Sequence, residues 1–140
     1  LYKKFPNPKQ VIDTTDKRLK DAGISGTKIN YIKGLSEQIV QKEIDFRKIS
    51  KLNDKQVIEE LTKIRGIGNW TAQIYLMFCL QRKDIIPVDD LGIKKGIRDL
   101  FSFKELPNPK IVEKFSARWK PNRSIACWYI WKNQRLNSIG

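Results

Sequence analysis

The most informative stretch of this sequence is Ile64-Arg65-Gly66-Ile67-Gly68-Asn69-Trp70-Thr71-Ala72. It separates two segments whose apolar residues recur at helical spacing. The first begins at Asn53, with Gln56 three residues later as in a capping box. The second runs from Trp70 to about Leu80 and is apolar nearly all round, which predicts a central, buried helix. The stretch is therefore predicted to be a tight turn between two helices.

The two glycines of this turn favour a specific use of the second helix. Gly66 and Gly68 allow positive φ angles and a close approach of another backbone. The helix that follows presents unpaired N–H groups at its N-terminus, which attract phosphate. The predicted contacts to a nucleic-acid backbone are Lys63, Arg65, Gly66, Ile67, Gly68 and Thr71. An ordinary glycine stop before a turn is the alternative, but the flanking helices and the basic charge favour a helix-hairpin-helix that holds DNA without reading its sequence.

The composition of the chain excludes several classes of functional site. The chain has 140 residues, the size of one domain or of one piece of a larger one. Lys and Arg number 28 against 15 Asp and Glu, a net charge of +13, which suggests either a polyanionic partner or a lysine-rich composition. The sequence has no His, which excludes His-based triads, His general bases and His metal ligands within it. Two Cys are too few for a zinc finger or an iron–sulfur cluster, which need about four ligands.

The cysteines and the start of the sequence give weaker indications. Cys79 lies in an apolar run and Cys127 in an aromatic-rich one, so both are predicted to be buried free thiols of a reducing compartment. No apolar run approaches the roughly 18 residues of a membrane span, and no signal peptide is visible. The first residue is Leu1 rather than Met, so we expect a fragment or a processed chain.

Helical periodicity extends through the rest of the chain, and no segment alternates convincingly like a strand. Pro6 and Pro8 predict an extended lead-in. The remaining predicted helices run from Thr15 to Ala22, from Ser25 to Gln41, over 110–117 and over 122–135, and a further helix after Asp90 carries Ile93, Ile97, Leu100 and Phe101 on one face. The predicted fold class is therefore all-α.

An acidic pair follows the hairpin by about twenty residues. Pro87 and Val88 predict an extended segment that leads to Asp89 and Asp90, which stand at the N-terminus of the next predicted helix. One Asp as an N-cap is common and explains part of the pair. A carboxylate beside a phosphate-binding turn is electrostatically unfavourable, so one of the two acids is a candidate for chemistry.

These motifs resemble a known family. The hairpin stretch followed by Pro87-Val88-Asp89-Asp90 resembles the helix-hairpin-helix Gly/Pro–Asp superfamily of DNA glycosylases. Its alkylation-repair branch, the DNA-3-methyladenine glycosylase II family, is resembled by Gly23-Ile24-Ser25 with Lys28 and Tyr31-Ile32, and by Arg118-Trp119-Lys120-Pro121-Asn122-Arg123-Ser124 running into Tyr129-Ile130-Trp131. The resemblance implies two helical lobes that flank a cleft, 1–82 ending in the hairpin and 83–140 carrying the acidic pair. It also implies an N-terminal portion, with a wedge residue, ahead of Leu1.

The resemblance assigns roles to single residues. Asp90, the second acid of the pair, is the implied catalytic residue. Trp70 and Trp131 line the implied base pocket, and Ile74 stands where the family can carry a further aromatic residue. Trp128, three residues before Trp131, is the expected core residue of that pair. The hairpin is expected to hold Na⁺ or K⁺ on the backbone carbonyls of Thr62, Ile64 and Ile67.

The implied activity is base-excision repair. Such an enzyme flips a damaged base out of the duplex and hydrolyses the N-glycosidic bond of an alkylated purine such as 3-methyladenine, with Asp90 stabilising the charge on the sugar. Bifunctional relatives place a Lys nucleophile where this chain has Trp70, so a monofunctional hydrolase without an iron–sulfur cluster or another cofactor for chemistry is expected. The expected partner is damaged double-stranded DNA and not a membrane. We expect a monomer, in the bacterial cytoplasm at the nucleoid or in a eukaryotic nucleus.

Two alternatives stay open at this point. One is a non-enzymatic DNA-binding module in which Asp89 and Asp90 only cap a helix. The other is a glycosylase of the same superfamily that acts on oxidised or deaminated bases. Trp70 and Trp131 favour cationic bases, because indole faces attract positive charge.

Overall fold

The computed structural model describes residues 1–137, with side chains for residues 1–134. Within that part every regular element is helical and no strand occurs, so the all-α prediction is confirmed. The chain forms two compact units, Leu1–Gly68 and the residues from Asn69 onward. None of the described helices is long and apolar enough to cross a membrane.

The first unit contains helices α1 to α5. Their bounds are Pro8–Asp13, Asp16–Asp21, Gly26–Val40, Phe46–Ile49 and Asp54–Thr62. Thr15 caps α2, and Asn53 and Gln56 form a reciprocal capping box at the start of α5, as the sequence predicts. Helices α1 and α2 pack against α3. The buried apolar side chains of this unit are Val11, Leu19, Ile29, Ile49, Val57, Leu61 and Ile64.

Helix α1 replaces the expected extended lead-in. Asn7 and Gln10 form a second capping box, and Pro8 occupies the first helical position. Proline suits that position because its missing N–H would have no helical partner there. Helix α4 is also absent from the prediction, since its four residues are too short to show a helical period.

The second unit contains helices α6 to α9. Their bounds are Asn69–Phe78, Leu91–Leu100, Pro109–Ser116 and Arg123–Asn137, with a 3₁₀ turn at Ala117–Trp119. Helix α9 lies against α7, closely enough that a Cβ on Gly96 would collide with the side chain of Ile130. The buried apolar side chains are Ala72, Leu76, Met77, Ile85, Ile86, Ile93, Ile97, Val112, Cys127 and Ile130.

The two units separate at a different place from the boundary suggested at residue 82. The division lies between Gly68 and Asn69, so the whole of α6 belongs to the second unit. The hydrogen bonds of α6 explain this. Gln73 Nε2 donates to the Ile86 carbonyl at 3.3 Å, and the side chain of Trp70 donates to Asp90.

Burial differs from the prediction at several apolar positions. Ala72 and Leu76 of α6 are fully buried, but Trp70 is 48% exposed and Phe78 is 56% exposed, so α6 is not buried all round. Cys79 is exposed rather than buried, and Trp128 lies at the surface rather than in the core. An apolar sequence pattern does not distinguish a face that packs from one that stays open.

Candidate active site

Asp90 marks the point where a buried segment becomes a helix. Ile85, Ile86 and Pro87 are buried, and the Asp90 amide donates to the Pro87 carbonyl at 3.0 Å, which closes a turn. Asp90 then caps α7, because its Oδ1 accepts the amide of Ile93 at 2.8 Å. The capping role foreseen for one acid of the pair therefore belongs to Asp90.

The Asp90 carboxylate also accepts two indole donors. Trp70 Nε1, in the first turn of α6, donates to Oδ2 at 2.8 Å, and Trp131 Nε1, on α9, donates to Oδ1 at 2.9 Å. These three side chains lie on three elements, separated along the chain by 20 and 41 residues. A helix cap needs one hydrogen bond, so the two indole contacts exceed what capping requires.

The two acids of the pair face different surroundings. Asp89 is exposed, and its carboxylate lies 3.4 Å from the ammonium group of Lys94. Ion pairs of this exposed kind contribute little to stability. Of the two acids, Asp90 contacts the tryptophans and Asp89 does not, so the geometry distinguishes Asp90, the acid that the family resemblance implies, from its neighbour.

Gly92 makes room for the contact between Trp131 and Asp90. A Cβ built on Gly92 would lie 2.9 Å from Trp131 Cδ1 and 3.1 Å from Asp90 Oδ1. Both distances are tighter than ordinary van der Waals contact. Any larger residue at this position in the first turn of α7 would displace the indole or the carboxylate.

One face of α6 extends the cluster. Trp70, Ile74 and Phe78 follow one another at four-residue spacing, so they share a side of the helix. The ring of Phe78 stacks on Trp131, with centroids 6.1 Å apart and planes 25° apart. Trp70 and Phe78 are about half exposed and Ile74 is half-buried. The face offers an open apolar and aromatic surface next to the Asp90 carboxylate.

The glycine turn uses its two glycines differently. Gly66 has φ +92°, and the ring of Tyr31 packs against it so closely that a Cβ would collide. Gly68 has neither a positive φ nor a neighbour within 4 Å of where a Cβ would stand, so this turn uses the conformational freedom of glycine at Gly66 and not at Gly68. Ile67 between them is half-buried.

The basic side chains near the turn are exposed. Lys63 pairs with Glu60 at 2.6 Å, in a pair whose side chains are 68% and 44% exposed. Arg65 is exposed, and so is Thr71 in the first turn of α6. Lys63, Arg65 and the glycine turn belong to the first unit, and Thr71 belongs to the second.

The sequence profile of the HhH-GPD superfamily, described as base excision DNA repair proteins, matches residues 1–122. The chain belongs to this superfamily. The resemblance drawn from the hairpin and the acidic pair is confirmed.

Relatives within the superfamily point to the alkylation-repair branch. Two proteins of Schizosaccharomyces pombe are each 35% identical to this chain. An alkylbase DNA glycosidase-like protein matches over 137 residues, 97% of this chain and 64% of its own length. DNA-3-methyladenine glycosylase 1 matches over 133 residues, 94% of this chain and 58% of its own length. The chain thus spans 58–64% of the length of these two curated relatives.

Solved structures of the superfamily share the fold. The 3-methyladenine DNA glycosylase of Schizosaccharomyces pombe in complex with abasic DNA matches with a TM-score of 0.87 and 34% identity, over 94% of this chain and 65% of that one. An 8-oxoguanine glycosylase/lyase of Clostridium acetobutylicum, in complex with duplex DNA, matches with a TM-score of 0.79 and 25% identity, over 99% of this chain and 49% of that one.

The cation site that the family resemblance implies would lie at the end of α5. The Ile64 carbonyl accepts the Ile67 amide at 3.0 Å, and a carbonyl oxygen has a second lone pair for a cation. Thr62 is the last residue of α5, where carbonyls lack helical partners and the helix dipole favours positive charge. The chemistry of this donor set therefore fits a monovalent cation.

Sequence reasoning found the three polar members of the cluster but missed two others. Gly92 and Phe78 make close contacts with Trp131 that were not anticipated. Gly92 carried a weak signal, because glycine is unfavourable inside a predicted helix and its presence needs a reason. Phe78 carried none beyond its four-residue spacing from Ile74.

Proposed function

We propose that this chain carries the catalytic residue of a monofunctional DNA glycosylase, which hydrolyses the N-glycosidic bond of alkylated purines such as 3-methyladenine. The observation that carries the proposal is the Asp90 carboxylate, held by two indole N–H donors and one backbone N–H donor. The names of the curated relatives support alkylated purines as the substrate class.

The hydrogen bonds select one oxygen of Asp90 for chemistry. Oδ1 accepts two donors, from Ile93 and Trp131, whereas Oδ2 accepts one, from Trp70. An ionised carboxylate offers about four acceptor sites, two on each oxygen. Among the described residues one site on Oδ2 therefore stays open, for water or for the charge that develops on the sugar.

The chemistry needs a fixed negative charge more than it needs a proton donor. Cleavage of the N-glycosidic bond builds positive charge on the sugar, and a preorganised carboxylate stabilises that charge. The N-terminus of α7 favours negative charge at Asp90. Oδ2 also orients water and accepts its proton as the water attacks the anomeric carbon. An alkylated purine is already cationic, so it leaves without protonation by the protein.

The open face of α6 provides the surface for the flipped base. Extrusion of a base costs a few kcal/mol, and damage that weakens pairing reduces the cost. The N–H edges of Trp70 and Trp131 are directed at Asp90, which leaves the ring faces of Trp70 for stacking, whereas Phe78 already stacks on one face of Trp131. Cation–π attraction favours a charged base over a normal one. Ile74 adds apolar surface but has no side-chain atom that hydrogen-bonds.

The predicted turn residues bind the DNA backbone, and the net positive charge of the chain adds a general attraction to it. The contacts assigned to phosphate are Lys63, Arg65, Gly66, Ile67, Gly68 and Thr71. The pair between Lys63 and Glu60 is exposed, so a phosphate can replace the carboxylate at little cost. A sodium or potassium ion on the Thr62, Ile64 and Ile67 carbonyls would add positive charge at the turn, with no part in bond cleavage. The partner is duplex DNA, bound by a monomer at the nucleoid or in the nucleus.

The test is the release of methylated purines from alkylated duplex DNA by the purified protein. We expect free 3-methyladenine and an intact abasic site that breaks only after alkali. Borohydride should trap no covalent complex, because Trp70 stands where a lyase has its Lys. A trapped complex would contradict the monofunctional mechanism. Tight, salt-sensitive binding without release of any methylated base would contradict the glycosylase, and would favour the binding module or an oxidised or deaminated substrate base.

A further inference from the structure

An ion-pair cluster outside the proposed reaction fixes the first turn of α9. Arg123 is the first residue of α9, and its side chain is only 12% exposed. Its Nε lies 2.7 Å from Asp84 Oδ1 and its Nη2 lies 3.0 Å from Asp84 Oδ2. Its Nη1 donates to Glu113 Oε1 of α8 at 2.8 Å. The guanidinium thus binds two carboxylates from two other segments.

Backbone contacts extend this cluster along the segment before Asp90. Arg123 Nη2 also donates to the Asp84 carbonyl at 3.0 Å. The Ser124 amide donates to the Lys83 carbonyl at 2.9 Å, and the Ser124 hydroxyl accepts the Ile85 amide at 3.0 Å. The same hydroxyl lies 2.7 Å from the Arg82 carbonyl, to which it donates. The start of α9 is therefore attached to four consecutive residues, 82–85.

Both attached segments lead to the same carboxylate. From residue 85 the chain continues through buried Ile86 and Pro87 to Asp90. From Arg123 the helix continues for eight residues, about 12 Å at 1.5 Å per residue, to Trp131. Trp131 then donates to Asp90 Oδ1. The Arg123–Asp84 pair fixes the start of α9 against the segment that leads to Asp90. The position of α9 in turn determines where Trp131 meets the Asp90 carboxylate.

We infer that Arg123 is a positioning residue for the proposed reaction: by holding α9 on the segment before Asp90, it sets the register at which Trp131 Nε1 reaches the Asp90 carboxylate. The inference rests on the proposed function for its catalytic consequence, but not for its geometry.

Arginine suits this positioning role better than lysine would. Arg presents five donors in a rigid planar fork, and four of the side-chain contacts here use that fork. Lys has the charge but not the fork, so it cannot reproduce the paired contacts with Asp84. The guanidinium holds the pKa of the Asp84 carboxyl below its usual value, so the pair stays charged at neutral pH.

The test observes the Trp131 indole directly. Four tryptophans give four indole N–H signals in a ¹H–¹⁵N NMR spectrum, and Trp131→Phe identifies the signal of Trp131. In Arg123→Gln we expect that signal to shift, and its hydrogen exchange to become about tenfold faster or more, as fits the loss of a hydrogen bond to a charged group. Lys33→Gln is the control, because it breaks a 2.6 Å ion pair in the first unit and should leave the signal unchanged.

A merely structural Arg123 gives a different result. It would lower the melting temperature while the Trp131 signal of the folded protein stayed in place, and that outcome overturns the inference. If Arg123→Gln does not fold, Arg123→Lys and Asp84→Asn carry the same test, since each removes the paired contacts with a smaller change. For each, a moved signal supports the inference and an unmoved one overturns it.

Kinetic measurements distinguish a failure of this inference from a failure of the proposed function. If the wild type releases alkylated bases, the single-turnover rate should fall in Arg123→Gln and in Trp131→Phe, and the double variant should be no slower than Trp131→Phe alone. Additive losses would overturn the coupling. If the wild type releases no base, the proposed function fails, and the NMR result still decides whether Arg123 positions Trp131.

Discussion

Asp90 combines a common structural role with an uncommon environment. The hydrogen bond from the Ile93 amide is an ordinary helix cap, and Asn would preserve it. The indole contacts would not both survive that change, because the amide nitrogen of Asn is a donor that would face a second donor. A substitution that keeps the cap and removes the carboxylate therefore separates the two roles of this residue.

Gly92→Ala should slow base release without unfolding the protein. The new Cβ would stand 2.9 Å from Trp131 Cδ1, so the indole or the Asp90 carboxylate must shift. We expect a loss of roughly tenfold or more in the single-turnover rate, because displacements of about 1 Å at a reacting group are that costly. Gly34→Ala is the control, since a Cβ at Gly34 meets nothing within 4 Å. An unchanged rate in Gly92→Ala would show that the close packing at this glycine is irrelevant to catalysis.

The two cysteines should differ sharply in reactivity. Cys79 is exposed, whereas burial and the nearby charge of Asp90 raise the pKa of Cys127 to about 12. At pH 8 the Cys127 thiol is therefore protonated and unreactive. We expect iodoacetamide to modify one thiol in the folded protein and two after denaturation, as measured by mass spectrometry. The variant Cys79→Ser should remain unmodified while folded, and labelling of Cys127 at the rate of Cys79 would contradict the packing described.

Sequence reasoning identified most residues of the candidate site but did not predict how they are arranged. Asp90, Trp70 and Trp131 were identified from motif positions. The direction of the two indole N–H groups depends on how α6, α7 and α9 pack, and no local pattern encodes that. Gly92 was missed for the same reason, because its neighbour Trp131 lies far along the chain.

For the helices, the residues that mark helix ends predicted the structure more reliably than the apolar pattern predicted burial. Thr15 and Asn53 cap α2 and α5 because a side-chain oxygen within three residues of a free amide acts locally. The same logic, applied to Asn7, would have found α1, since proline is acceptable at a first helical position. The exposure of Trp70 and Phe78 on α6 depends on tertiary contacts, so the apolar pattern alone predicted it wrongly.

The attachment of α9 should weaken in acid. Hydrogen bonds from Arg123 lower the pKa of Asp84, so the stabilisation from this carboxylate is complete above its unfolded pKa of about 3.9 and is lost as the pH falls through the lower folded value. Asp84→Asn should therefore reduce the thermal midpoint at pH 7, and the difference from wild type should shrink as the pH falls below about 4.

Asp13→Asn is the control for this pH dependence. Asp13 is exposed, and the described residues offer its carboxylate no hydrogen bond or ion pair. Its substitution should leave the midpoint near that of wild type at both pH values. A difference between Asp84→Asn and wild type that stays constant from pH 7 to pH 3 would contradict the charge of the Asp84–Arg123 pair as the source of the stabilisation.

For the molecule as a whole, the net charge and the superfamily both support the proposed nucleic-acid partner. The net charge of +13 left a polyanion and a composition bias undecided, and membership of a DNA-repair superfamily supports the proposed DNA partner. The fold class followed from helical periodicity throughout the chain. The division into units did not, because the assignment of α6 to the second unit rests on contacts between residues distant in sequence.

The most direct test of the central claim compares Asp90→Asn with Asp89→Asn. The two variants carry the same chemical change at adjacent positions, one among the indoles and one exposed beside Lys94. The measurement is the single-turnover release of 3-methyladenine from methylated duplex DNA, with DNA affinity measured in parallel. We predict a loss of about 100-fold or more for Asp90→Asn, the scale typical of a lost electrostatic stabiliser, with DNA binding retained and Asp89→Asn close to wild type. Equal rates in both variants would contradict the assignment of Asp90 as the catalytic carboxylate.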